Sequence, residues 1–181
     1  MALKATIFKA ELQISDMDRH YYETHMLTIA RHPSETDERM MARILAFALN
    51  AHEQLQFTKG LSSDEEPDLW QRNYSDEIEL WIELGQPDEK RIRKACHSSK
   101  QALIYTYQGN SADVWWDKIK NQLTRFKNLG VIAIADDSIE ALTQMAERSM
   151  RLQCTIQDGQ VWLGNADGMT EVKMNIRCEA S

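Results

Sequence analysis

The run from Gly130 to Ala135 (Gly-Val-Ile-Ala-Ile-Ala) carries no polar side chain, and it constrains the chain more than any other segment. A strand with no polar face is buried on both sides, which is the habit of parallel sheets covered by helices. The flanking segments have the right character. Ser111 to Lys127 before it and Asp137 to Arg148 after it both read as helices. Strands alternating with helices imply an α/β or α+β protein with a mixed β-sheet and flanking helices.

The remaining periodicities fill in that frame. Phe8, Ala10, Leu12 and Ile14 alternate on one face of a strand, Asp16 to Arg19 supplies turn residues, and Tyr21 to Ala30 resumes an extended pattern. Helical spacing of Met41, Ile44, Leu45, Ala48 and Leu49 predicts a helix from Glu35 to His52, with Ser34 as its N-cap. A short strand is expected at Leu55 to Thr58, and Ser62 to Asp68 reads as a polar loop. Glu77 to Leu84 alternates cleanly, with Ile78, Leu80, Ile82 and Leu84 facing one way and Glu79, Trp81 and Glu83 the other. A helix is expected from Pro87-Asp88 to Ser99 and a strand from Ala102 to Tyr107. The tail offers strands at Met150 to Ile156, Gln160 to Leu163 and Glu171 to Arg177, the first two joined by an Asp158-Gly159 hairpin.

A chain of 181 residues with no separating linker is expected to form one domain over residues 1–181. Its net charge of −7 argues against non-specific coating of DNA, because phosphate contacts draw on Lys and Arg. Three widely spaced cysteines, Cys96, Cys154 and Cys178, form neither a disulfide framework nor a zinc pattern, and they suit a reducing compartment. No apolar run is long enough to cross a bilayer, and Met1 to Lys4 lacks signal-peptide features. The expected location is the cytoplasm, with no membrane association.

Three carboxylates from separate elements are candidates for one site: Glu38 on the first helix, Asp68 after Pro67, and Glu83 near the end of its strand. Oxygen donors of this kind suit Mg²⁺, which keeps several waters and needs one or two protein carboxylates. Bound there, the ion would activate water against a phosphodiester. Each residue also has a plainer reading: Glu38 as a first-turn carboxylate favoured by the helix dipole, Asp68 as part of an acidic loop, Glu83 as a solvent-facing strand residue. Glu79 lies at least roughly 13 Å from Glu83 by strand rise, too far to share one ion. Trp70, Trp115 and Trp116 are candidates either for stacking on bases or for the core.

The segments His32 to Thr36 with Glu38 to Met41, Leu55 to Leu61, Leu80 to Gly85, Pro87 to Ile92 with Lys94 to Cys96, and Leu152-Gln153 with Thr155 to Gly159 resemble the YaeQ family along nearly the whole chain. That family is similar in fold to the PD-(D/E)XK nucleases. The resemblance implies a first helix offering Glu38, a PD element at Asp68 and an acidic strand residue at Glu83, with Asp68 and Glu83 as metal ligands. It departs from the nuclease motif where Gly85 stands in place of lysine. A basic residue from the next helix, Lys90, Arg91 or Lys94, is then expected to substitute, as in variants where the lysine has migrated. Ile92, Ala95 and Cys96 mark that helix's buried face, so Arg91 lies on its flank, and Lys94 is long enough to lean in.

Two functions follow as expectations. One is a Mg²⁺-dependent nuclease-like phosphodiesterase acting on nucleic acid, with Glu38, Asp68, Glu83, Arg91 and Lys94 as its catalytic set. The other is a non-catalytic regulatory protein that binds nucleic acid or a protein partner on a degenerate nuclease scaffold. The sequence leaves the oligomeric state open.

Overall fold

Phe8, Ala10, Leu12 and Ile14 all turn into the buried face of β1 (Thr6–Asp16) in the computed structural model, which describes residues 4–59 and 65–181. The chain divides into two compact units. One comprises the chain up to Ala48 with Asp137–Lys173, the other Leu49–Asp136 with Met174–Ser181.

In the first unit β1 pairs antiparallel with β2 (Tyr21–Arg31), in register from Thr6↔Arg31 to Asp16↔Tyr21. Its other edge pairs in parallel with β8 (Ser149–Gln157), which continues antiparallel to β9 (Gln160–Asn165) and β10 (Gly168–Val172). The sheet order is β10-β9-β8-β1-β2. The expected Asp158-Gly159 hairpin is present, and the two carboxylate oxygens of Asp18 accept its backbone N–H groups at 2.8 and 2.9 Å. One turn thereby clasps another.

Helix α1 (Asp37–Leu49) is buried without interruption from Met40 to Ala48, all of it apolar except Arg43. It starts two residues later than expected. The N-cap is Thr36, whose hydroxyl accepts from the Arg39 backbone N–H at 3.2 Å, while the Ser34 hydroxyl turns to His32 Nδ1. Glu35 is drawn away from the helix start because its carboxylate holds Arg43 at 2.6 Å and Arg39 at 2.8 Å. Helix α4 (Asp136–Thr143) stops short of Arg148, its chain tightening through a Met145 N–H to Leu142 carbonyl bond before β8 begins.

The second unit holds β3 (Leu55–Phe57), β4 (Leu69–Arg72), β5 (Ile78–Leu84), β6 (Ser99–Thr106), β7 (Leu129–Ile134) and β11 (Met174–Cys178), in the order β11-β7-β6-β5-β4-β3. Strands β5, β6 and β7 run parallel, as the apolar run at residues 130–135 requires. Helices α2 (Glu89–Ser98) and α3 (Gly109–Leu123) supply Ile92, Ala95, Cys96, Ile119 and Leu123 to a core shared with Trp81, Ile104, Leu129 and Val131. Trp115 and Trp116 pack against it, partly buried.

Two strand expectations need correction. β4 is absent from the sequence reading, because four residues behind an acidic loop show too little periodicity to declare a strand. The single tail strand is in fact two: Val172 pairs with Val161 in one sheet, and Met174 pairs with Ile134 in the other. Period-two patterning identifies extended chain but says nothing about a change of partner. The Ser62–Asp64 part of the expected loop lies outside the described residues. Among those described, no helix is long and apolar enough to cross a membrane.

Gly109 opens α3 with φ at +52°, and the Asp136 carboxylate occupies the space a β-carbon would need. Gly109→Ala is expected to destabilise the protein by about 2 kcal/mol, from the left-handed backbone and the displaced carboxylate together. Chemical denaturation would measure it, and an unchanged midpoint would mean that Asp136 moves freely.

Candidate active site

Strand β5 becomes buried on both faces toward its carboxyl end, which takes Glu83 out of solvent: it is 6% exposed. A carboxylate there needs partners, and the elements on either side supply them. Asp88 caps α2 by accepting the Arg91 backbone N–H at 2.8 Å, which sets the first helical turn at the strand end. From that turn Arg91 Nε donates to Glu83 Oε1 at 2.8 Å, and its Nη2 donates to the Glu66 carbonyl at 2.6 Å. Trp81, two residues back on the same strand face, donates its indole N–H to the same Oε1, also at 2.8 Å.

Asp68 stands immediately before the neighbouring strand β4. β4 and β5 pair Trp70 with Trp81 and Leu69 with Ile82, so one further step brings Asp68 alongside Glu83. It is 3% exposed; its backbone N–H donates to the Ile82 carbonyl at 3.0 Å and its Oδ2 accepts the Leu84 N–H at 2.8 Å. Burial, reinforced by the neighbouring Asp68 charge, pushes the Glu83 carboxyl from its ordinary 4.5 up to about 7, against the opposing pull of Arg91 and Trp81.

Gly85 follows directly on this strand end. Its φ is +93° while its N–H donates to the Tyr105 carbonyl at 2.9 Å, a conformation that strains any residue with a side chain. The cation at this strand end therefore comes from α2.

The structure thus brings Asp68, Glu83 and Arg91 together. Lys94 pairs with Glu65 at 3.1 Å near the helix surface. Glu38 is exposed in the first turn of α1, in the other unit. Glu79 belongs to a separate network with Asn73 and Lys100, whose hydrogen bonds hold its carboxyl below the usual range. Sequence reasoning missed Trp81 as a partner of Glu83, although its place two residues back on the same strand face was the available signal. Among the described residues no cluster of three or more His, Cys, Asp or Glu could hold a metal ion. The donor set here is two carboxylates, which is enough for an ion that keeps most of its waters.

Other candidate chemistry is weaker. Several basic residues on and around α2 and α3 are paired with carboxylates: Arg93 on α2 and Arg125 just past α3 with Glu89, Lys120 on α3 with Asp117, and Lys100 on β6 with Glu79 and Glu77. Burial pushes the thiols of Cys96 and Cys154 up to about 11 and about 12, so neither is a ready nucleophile. Trp115 donates its indole N–H to the Pro87 carbonyl, and Trp70 meets Trp81 edge to face at 6.4 Å.

A family model described as YaeQ protein matches residues 1–174. The proteins called "Uncharacterized protein YaeQ" from Salmonella typhi and from Escherichia coli K12 are each 47% identical over 174 residues, 96% of this chain and 96% of the relative. The crystal structure of the YaeQ protein from Xanthomonas axonopodis pv. citri is similar at a TM-score of 0.93 and 50% identity, covering 97% of this chain and 99% of that one. That of the YaeQ protein from Pseudomonas syringae reaches 0.92 at 36% identity, covering 96% of each.

Proposed function

The chain belongs to the YaeQ family, and on that premise we propose that it is a magnesium-dependent phosphodiesterase of the PD-(D/E)XK nuclease type, acting on nucleic acid in the cytoplasm. The observation that carries this reading is the meeting of buried Asp68, just before β4, and buried Glu83 on β5, with Arg91 delivered by the following helix. Asp68 and Glu83 would hold the ion, which when bound would activate water and offset phosphate charge. Glu83 would release its proton as the ion binds, and Arg91 would stabilise the charge that develops on the phosphate oxygens. Its side chain is one-fifth exposed, which leaves it within reach of a substrate.

A second reading, a regulatory protein that keeps this scaffold without chemistry, draws on the pairing of Arg125, Lys120 and Lys100 with carboxylates and on the net charge of −7. Cleavage of single- and double-stranded DNA and RNA, assayed with Mg²⁺ or Mn²⁺, separates the two. The expected result is cleavage by the wild type that falls at least about a hundredfold in Glu83→Ala. Cleavage that persists in the variant would remove this site from the reaction. No cleavage by either folded protein would favour the second reading.

A further inference from the structure

Glu83 accepts two hydrogen bonds on one oxygen, from the Trp81 indole and from Arg91, and neither uses its Oε2. We propose that Trp81 is the positioning residue of this site, fixing which carboxylate oxygen of Glu83 is presented toward a cation beside Asp68. The proposal rests on the metal-dependent reading above.

The indole suits that task physically. Its N–H is a donor only, and it does not titrate, so it holds the carboxylate by an oxygen in one sense and at every working pH. The ring itself is fixed: Trp81 is 1% exposed, its indole meets Trp70 edge to face with the planes at 74°, and the Arg91 guanidinium lies 5.8 Å from its ring centre. Of the two donors to Oε1, the indole is locked by packing, while Arg91 is held at the capped start of α2 by its bonds to Glu83 and to the Glu66 carbonyl. A strand-borne glutamate with three rotatable bonds gains a single orientation from two fixed donors, which leaves Oε2 as the oxygen for the ion.

The chain contains five tryptophans, so five indole N–H signals can be followed in a nitrogen-15 correlation spectrum. Two observations are expected of the intact indole: Glu83→Ala shifts the Trp81 signal, and Mn²⁺ added to the wild type broadens that signal before those of Trp115 and Trp116. Trp81→Phe, which keeps a ring and removes the N–H, should weaken Mn²⁺ binding about tenfold while its thermal melt stays cooperative.

An unmoved Trp81 signal in Glu83→Ala would overturn the proposal, whatever the fate of Trp81→Phe. Broadening of the wild-type signal with unchanged Mn²⁺ affinity in a folded Trp81→Phe would overturn it too, while leaving the metal site standing. If Mn²⁺ broadened no indole in the wild type, the metal-dependent reading would fall and the proposal with it.

Discussion

Replacing Glu83 by Gln is expected to make the protein more stable at pH 8 by about 3 kcal/mol. The reason is the position of its proton. In the folded chain the carboxyl is held near 7, whereas its ordinary value is 4.5. Between those two values the folded protein binds a proton that the unfolded chain has released, so stability falls as pH rises through the interval. Below about pH 4.5 both states are protonated and the contribution is fully favourable. Above about pH 7 the folded state carries a buried charge and the loss is complete. Glutamine mimics the protonated form at every pH, so the advantage of the variant should grow from pH 4.5 to pH 8. Urea denaturation of both proteins at the two pH values measures it. Equal stability at pH 8 would mean that Glu83 is ionised at little cost, contrary to its burial beside Asp68. A stabilising loss of an acid is the mark of a residue retained for something other than folding.

Glu35→Ala is expected to act in the opposite direction, costing about 3–5 kcal/mol. Glu35 is 3% exposed and Arg43 4% exposed, with 2.6 Å between their charged groups and Arg39 bound to the other carboxylate oxygen at 2.8 Å. Removing the acid leaves the Arg43 guanidinium charged within a helix segment that has no solvent face. For a chain of this length the melting temperature should drop on the order of 10 °C. The double variant Glu35→Met/Arg43→Met should recover most of the loss, because the penalty comes from a stranded charge rather than from the pair's own worth. A double variant as unstable as the single would instead place the damage in packing.

The sequence made the parallel core legible because Gly130 to Ala135 can be satisfied in few other ways, and β5 was readable from strict alternation. Asp68 and Glu83 could be nominated but not joined. What joins them is the β4–β5 pairing, and the Leu69–Arg72 strand is too short to be recognised by period. Arg91 was accessible through helical geometry, since Ile92, Ala95 and Cys96 do form the buried face and Arg91 does sit at its flank. The role of Glu35 was hidden for another reason. A carboxylate before a helix reads as a favourable end charge, and nothing local reveals that two arginines within the helix will claim it.

The parallel pairing of β1 with β8 sets Lys9 against Ser149, and β11, the last strand, completes the other sheet beside β7. During synthesis, then, β1 emerges with only its hairpin partner β2 and waits until Ser149–Gln157 has followed before its second edge is covered. Each sheet depends on a strand from far downstream, β8 beside β1 and β11 beside β7. A chain stopped early would display the bare edges of β1 and β7, ready to recruit strands from other chains. The order in which these strands are made therefore leaves the chain most open to aggregation before β8 and β11 have found their partners.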